Sequence, residues 1–274
     1  MTYSTLMVHV ELGQSNAALL DAAVDVAKRF RSAVIGVTGC QPMQAYYAEG
    51  YSGDVAEQEQ KEIDDAIKTA EAELRLALSP KVDHVEWRST CAYGPVLDFL
   101  AHEARAADLV LTGVARGDLF DSSRAVNTGD LVLQLGRPVL IVPLESRQLR
   151  LDQVLVGWKD TRESRRAIAD ALPLLKQAAR VTLGAIMPEG DLATARTQLA
   201  DVGAWLARHG VTADQVASPS IGDDADALWA LAQDLGAGIT VAGAYGHSRL
   251  REWVLGGVTK NLLLTKDRYS FVSH

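Results

Sequence analysis

Two stretches of the chain share one pattern: Ala107-Asp-Leu-Val-Leu-Thr-Gly113 and Ala237-Gly-Ile-Thr-Val-Ala-Gly243. Each is a short, largely apolar run that ends at a glycine. A run of this length and composition is typical of a parallel β-strand that is covered on both faces. Because the two copies lie far apart in the chain, they indicate a duplicated domain rather than a short structural repeat.

Short apolar runs alternate with longer amphipathic segments around both stretches, in the same order in each half. The predicted strands are 6–10, 33–37, 84–88, 108–113 and 139–142, then 153–158, 181–186, 211–217, 238–243 and 270–273. The predicted helices are 15–30, 54–77, 94–106, 161–175, 193–208, 224–235 and 258–264. This alternation predicts an α/β protein of two tandem open parallel-sheet domains. Polar residues in 143–150 mark the boundary, which gives an N-terminal domain 1–146 and a C-terminal domain 147–274.

The composition fits a soluble protein and excludes several functional classes. The chain has 274 residues, 48% of them hydrophobic, and a net charge of −8. General binding of nucleic acid needs clustered Lys and Arg, so the charge argues against it. We see no apolar run near the ~20 residues of a membrane span and no signal peptide, which predicts a cytoplasmic protein without a membrane partner. Two cysteines allow one disulfide but do not resemble a disulfide-stapled scaffold.

The most informative segment begins at Gly243 and runs to Thr259. Gly243 and Gly246 follow a predicted strand, and Gly256 and Gly257 precede a predicted helix. Bare amides at a helix N-terminus attract anions, so the segment has the character of a phosphate cradle. On spacing alone, turn geometry explains these glycines better than a ligand does. Neither the dinucleotide nor the P-loop glycine motif is present.

This segment resembles the nucleotide-binding signature of universal stress proteins, in which a strand is followed by Gly-x-x-Gly, nine residues, then Gly and a small residue. Gly243, Gly246 and Gly256 fill the glycine positions. The opening segments of the two halves, 8–11 and 154–161, share the resemblance, which covers the whole chain as two fused family domains. It implies a Rossmann-like fold of the adenine nucleotide alpha hydrolase type with strand order 3-2-1-4-5, and a stress-response protein that binds ATP or AMP. No metal is expected beyond Mg bound to the nucleotide.

In such a sheet the ligand lies where the strand order reverses, beyond the ends of strands one and four. That places residues 158–161 close to the glycine loop. The predicted nucleotide-binding residues are therefore Trp158, Lys159, Asp160, Thr161, Gly243, Gly246, His247, Arg249, Gly256, Gly257, Val258 and Thr259. For His247, contact with phosphate and simple exposure in the loop are equally open.

The predicted site departs from the family pattern at two positions. Lys159 stands where nucleotide-binding members carry an Asp, and a Lys cannot accept a hydrogen bond, although it can meet a phosphate as a point charge. Gly257 stands where Ser or Thr is usual. In the N-terminal half, Glu11 can stand in for the acid, but Arg116 and Ala125-Val126 interrupt the glycine motif. We therefore expect no nucleotide cradle in that half.

Two functions from different classes follow. The first is nucleotide binding in the C-terminal half without fast catalysis, at most a slow ATPase, because no general base is evident. The second is a nucleotide-free interaction module in which both crevices are degenerate. In either case the last strands, 138–143 and 269–274, are apolar edges that need a partner, and the resemblance implies that they pair with each other as a pseudo-dimer. A homodimer of the whole chain stays open.

Glu163 and its neighbours on the first helix of the second half are interpreted as a solvated face. Trp87, Trp205 and Trp229 are interpreted as core.

Overall fold

Strands and helices alternate along the chain as the sequence predicts. The computed structural model describes residues 2–42, 53–114, 126–144, 148–220, 223–244 and 268–274, without the side chains of 53–56. The strands are β1 (Thr5–His9), β2 (Ala33–Cys40), β3 (Val85–Cys91), β4 (Leu109–Gly113), β5 (Val139–Val142), β6 (Val154–Gly157), β7 (Val181–Met187), β8 (Ala213–Pro219), β9 (Ile239–Gly243) and β10 (Tyr269–Ser273). The helices are α1 (Ala17–Phe30), α2 (Gly53–Leu78), α3 (Val96–Glu103), α4 (Thr128–Gln134), α5 (Arg162–Leu175), α6 (Leu192–Arg208) and α7 (Asp224–Asp234).

All ten strands belong to one sheet, in the order β3-β2-β1-β4-β5-β10-β9-β6-β7-β8. Within each half the order is 3-2-1-4-5 and every pairing is parallel. The predicted fold class and strand order are confirmed. Crossover helices cover both faces of a parallel sheet, which explains why the central strands are nearly continuous apolar runs. The edge strands β3 and β8 are more polar and partly exposed.

The two halves meet at an antiparallel seam between β5 and β10. Three residue pairs form it: Ser270 with Ile141, Phe271 with Leu140, and Val272 with Val139. All six residues are buried, and Phe271 is completely inaccessible. The last strands of the two halves therefore pair within one chain, as the sequence predicts, and the seam removes two edges that would otherwise be open.

One hydrophobic core runs through both halves on one face of the sheet. It contains Leu6 of β1, Val154 of β6 and Phe271 of β10. Trp87 and Trp205 pack against this core as predicted. The prediction for Trp229 is wrong: it lies on α7 with 39% of its surface exposed, and Arg268 lies over its ring.

Candidate functional site

The carboxyl ends of β6 and β9 lie side by side in the C-terminal half. The two strands pair in parallel, with Gly157 opposite Ala242. The chain leaves β6 toward β7 on one side, whereas β9 lies on the other, so the strand order reverses here and a crevice is expected at this edge. Residues 158–161 follow β6 and Gly243 ends β9, so both lie at this reversal.

The other predicted site residues cannot be placed. Gly246, His247, Arg249, Gly256, Gly257, Val258 and Thr259, together with the predicted helix 258–264, lie outside the described residues. Their role in a nucleotide site stays a prediction.

Only a glycine fits at position 243, because β9 and α5 approach each other closely there. A Cβ at this position would overlap the backbone nitrogen of Ser164 and atoms of Glu163. The end of β9 therefore lies directly against the first turn of α5, with no room for a side chain. This contact brings the start of the glycine segment to the N-terminus of a helix.

Thr161 is the N-cap of α5. Its hydroxyl accepts a hydrogen bond from the backbone N–H of Ser164 at 3.3 Å, and its own N–H donates to the carbonyl of Lys159 at 2.7 Å. A threonine cap of this kind satisfies one of the free amides of the first turn. The hydroxyl thus has a structural use besides any contact with a ligand.

The charged residues of this crevice are matched in pairs. The Lys159 ammonium lies 3.7 Å from the carboxylate of Asp224, at the start of α7, and Arg165 donates to Asp160 at 2.5 Å. All four side chains are 39–58% exposed. Exposed pairs contribute little energy, about 0–1 kcal/mol, so either cation can turn to a stronger anion at small cost.

Trp158 directly follows β6 and is part of the main core. It is 7% exposed, and its backbone N–H donates to the carbonyl of Gly184 at 2.7 Å. Its indole Nε1 has no hydrogen-bond partner. The side chain therefore acts mainly as packing beneath the crevice.

Glu163 is the functional-site residue that sequence reasoning missed. It was interpreted as part of a solvated face, and this is wrong, because only 3% of its surface is exposed and it lies beside Gly243. Burial raises the pKa of its carboxyl, but hydrogen bonds from Arg162, from its own backbone N–H and from Thr161 outweigh burial, and the pKa is lowered. A negative charge therefore lies at the helix N-terminus, where a helix dipole favours it.

The equivalent edge of the N-terminal half is more open. A cavity of about 420 Å³ lies between the start of α1 and the ends of β4 and β5, and Glu11, Ser15, Asn16, Gly113 and Pro143 are among its lining residues. The side chain of Asn16 stabilises one wall of this cavity. It accepts a hydrogen bond from the N–H of Glu11 at 3.2 Å and donates one to the carbonyl of Glu11 at 2.9 Å. Asn16 makes no side-chain cap to α1.

Comparisons with known proteins decide the fold. Over 98% of both chains, the structure matches a universal stress protein from Archaeoglobus fulgidus DSM 4304, with a TM-score of 0.75 and 12% identity. This chain has the universal stress protein fold.

Two further structures match nearly the whole chain. A functionally unknown protein from Pseudomonas aeruginosa PAO1 has a TM-score of 0.62 at 16% identity, covering 99% of this chain and 92% of that one. A candidate universal stress protein from Pseudomonas aeruginosa UCBPP-PA14 has a TM-score of 0.62 at 17% identity, covering 99% and 93%. No family model and no curated protein matches the chain.

The loop before the first helix differs in length between the two copies of the universal stress protein fold. Seven residues, 10–16, connect β1 to α1, whereas four, 158–161, connect β6 to α5. The shorter loop holds α5 against the end of β9, where Gly243 has no space for a Cβ. At Gly113, the equivalent end of β4, a Cβ would meet nothing within 4 Å. Loop length thus explains why one edge is tightly packed at this point and the other is open.

Neither copy of the universal stress protein fold shows a metal centre in its described residues, where no group of three or more His, Cys, Asp or Glu is suitably clustered. Across the same residues, no helix combines the length and apolar character needed to cross a membrane.

Proposed function

We propose that this chain is a tandem universal stress protein that binds an adenine nucleotide, ATP or AMP, in the crevice of its C-terminal half without fast turnover. The observation that carries the proposal is the contact of Gly243 with the first turn of α5. It places the first glycine of the nucleotide signature against Glu163 and Ser164, just after residues 158–161, at the reversal of strand order where ligands of open α/β sheets bind.

The residues of the crevice would have separate roles in binding the nucleotide. Backbone amides of the glycine segment beyond residue 244, among them those of Gly256 and Gly257 before the predicted helix 258–264, would hold the phosphates. Lys159 would leave Asp224 and meet a phosphate, at the small cost of an exposed ion pair. The buried carboxylate of Glu163 repels phosphate, so we expect the triphosphate to bind away from it.

Binding rather than chemistry is proposed because the acids whose partners stay in place are paired with arginines: Asp160 with Arg165, and Glu163 with Arg162. A general base must reach the attacking water directly or through one other water. Slow hydrolysis of ATP is the most that we expect, with Mg bound through the nucleotide.

Calorimetric titration of the nucleotide-stripped protein tests the proposal. We expect ATP to bind at one site per chain, and adenosine to bind at least about tenfold more weakly because it lacks the phosphates that the amides recognise. Gly246→Val, which places a side chain in the predicted cradle, should abolish binding.

Gly113→Val is the matched control. It adds the same side chain at the edge of the N-terminal cavity, where the backbone has space for a Cβ. It should leave ATP binding unchanged. Absence of heat and of any thermal shift with every nucleotide would contradict the proposal, and loss of binding in Gly113→Val alone would move the site to the N-terminal half.

A second candidate function, a nucleotide-free interaction module, is favoured by one observation. The crevice already contains three internal ion pairs, the third between Arg162 and the buried carboxylate of Glu163, so its charges are balanced without a ligand. Size-exclusion chromatography with light scattering would support this function if the stripped protein self-associates and nucleotide has no effect.

A further inference from the structure

The two cysteines of the chain, Cys40 and Cys91, are brought together by the fold. Cys40 ends β2 and Cys91 ends β3, and the two are register partners in the parallel pairing of these strands. Neighbouring strands lie about 4.8 Å apart, within the 4.4–6.8 Å range of Cα separations that disulfides span.

Both side chains lie on the same face of the sheet. Cys40 is a fully buried member of the main core, and Cys91 packs against that core while remaining partly accessible. Gly39, one residue earlier, faces the opposite side, because a Cβ there would contact Val96 and Phe99 of α3. The alternation of side chains along a strand gives the same assignment.

The backbone holds the two strand ends together beyond the cysteines. The N–H of Ala92 donates to the carbonyl of Cys40 at 3.1 Å, and the side chain of Gln41 donates to the carbonyl of Gly94 at 3.0 Å. These hydrogen bonds follow the cysteines and the strand pairing precedes them, so the register of the pair is fixed on both sides. No disulfide joins the cysteines in this structure.

We infer that Cys40 and Cys91 form a reversible intramolecular disulfide when the protein meets a peroxide. The accessible thiolate of Cys91 attacks one peroxide oxygen, the O–O bond breaks, and the sulfur becomes a sulfenic acid while hydroxide leaves and is protonated to water. The thiol of Cys40 then attacks that sulfur, an S–S bond forms, and a second water leaves. Two thiols are oxidised and one peroxide is reduced; a dithiol reductant reverses the reaction.

The exposure difference assigns the roles. Cys91 is the residue that an oxidant reaches, and Cys40 is the resolving residue that the core shields. The chain has only these two cysteines, so every thiol measurement reports on this pair. The proposal is independent of the nucleotide site, which lies in the other half.

Intact-mass analysis tests this directly. Reduced protein is treated with hydrogen peroxide, unfolded in denaturant and alkylated. We expect a mass lower by about 2 Da and no alkylation, a peptide that links Cys40 to Cys91, and recovery of two alkylated thiols after dithiothreitol. A sulfenic or sulfinic acid on Cys91 with Cys40 still alkylated, or a disulfide between two chains, would overturn the inference.

Two variants separate the roles of the cysteines. In Cys40→Ala, peroxide should leave Cys91 as a sulfenic acid that a 1,3-dicarbonyl probe traps. In Cys91→Ser, the buried Cys40 should oxidise at least about tenfold more slowly than Cys91 does in Cys40→Ala. Equal rates would contradict the assignment, and the result for the wild-type chain holds even if a variant folds poorly.

Discussion

Gly243 and Gly113 occupy equivalent positions, each at the end of the fourth strand of its half, but only one has space for a side chain. We expect Gly243→Ala to destabilise the protein by about 1–3 kcal/mol, because the new Cβ overlaps the first turn of α5. Gly113→Ala, the matched control, should change stability by no more than about 0.5 kcal/mol. Urea unfolding of both variants measures the difference, and equal effects would mean that β9 and α5 are not in contact.

The buried side chain of His9 makes the stability of the protein depend on pH. Burial lowers its pKa to about 4, and its Nδ1 lies 3.1 Å from the hydroxyl of Thr112. The unfolded chain therefore takes up a proton at higher pH than the folded chain. The associated stability is complete above the ordinary histidine pKa and is lost as the pH falls toward 4.

The size of that loss can be measured. Between about pH 7 and pH 5 we expect His9 to account for a decrease of roughly 2 kcal/mol in the free energy of unfolding. His9→Gln should remove this decrease, whatever the substitution costs at neutral pH. Urea unfolding at the two pH values gives the comparison, and an equal decrease in the variant and the wild-type chain would exclude His9 as its source.

At the scale of elements, the seam between β5 and β10 depends on Phe271. Its side chain is fully buried in the core that both halves share. Phe271→Ala should cost about 3–5 kcal/mol, whereas Leu133→Ala, at a 40% exposed position on α4, should cost less than about 1 kcal/mol. Thermal unfolding compares them. A small effect at Phe271 would mean that the seam contributes little to the fold.

Most elements could be predicted from the sequence because their apolar periodicity is strong. The central strands of the sheet needed no more than that, and the duplicated pattern ending at Gly113 and Gly243 predicted two halves. The helix α4 was missed. It has seven residues, too few to display a helical period, and its signal is the Asn127 cap, whose side chain accepts from two backbone amides.

Glu163 shows why the site was harder to predict than the fold. Its position in the first turn of α5 places it on the side of Gly243, but charge alone suggested a solvated residue. The loop before α5 has four residues and Glu163 lies against Gly243, whereas the loop before α1 has seven residues and Gly113 has open space around it. Such a consequence follows from three-dimensional contact and not from a pattern in the sequence.

At the scale of the whole molecule, the ten-stranded sheet and the shared core predict one cooperative unit. Residues from both halves belong to the same core, among them Leu6, Val154 and Phe271. We therefore expect the two halves to unfold together, with one midpoint in urea. Hydrogen exchange followed by peptide mapping reads each half separately. Two separate midpoints would show that the seam does not couple them.

Photoaffinity labelling tests the central claim, because it reports where a nucleotide binds. An azido-adenine analogue of ATP is bound to the stripped protein, irradiated, and the labelled peptides are mapped. The account predicts label in residues 154–161 or 243–259, and its loss when unmodified ATP competes. Label confined to residues 11–21, beside the N-terminal cavity, or label that ATP does not displace, would contradict it.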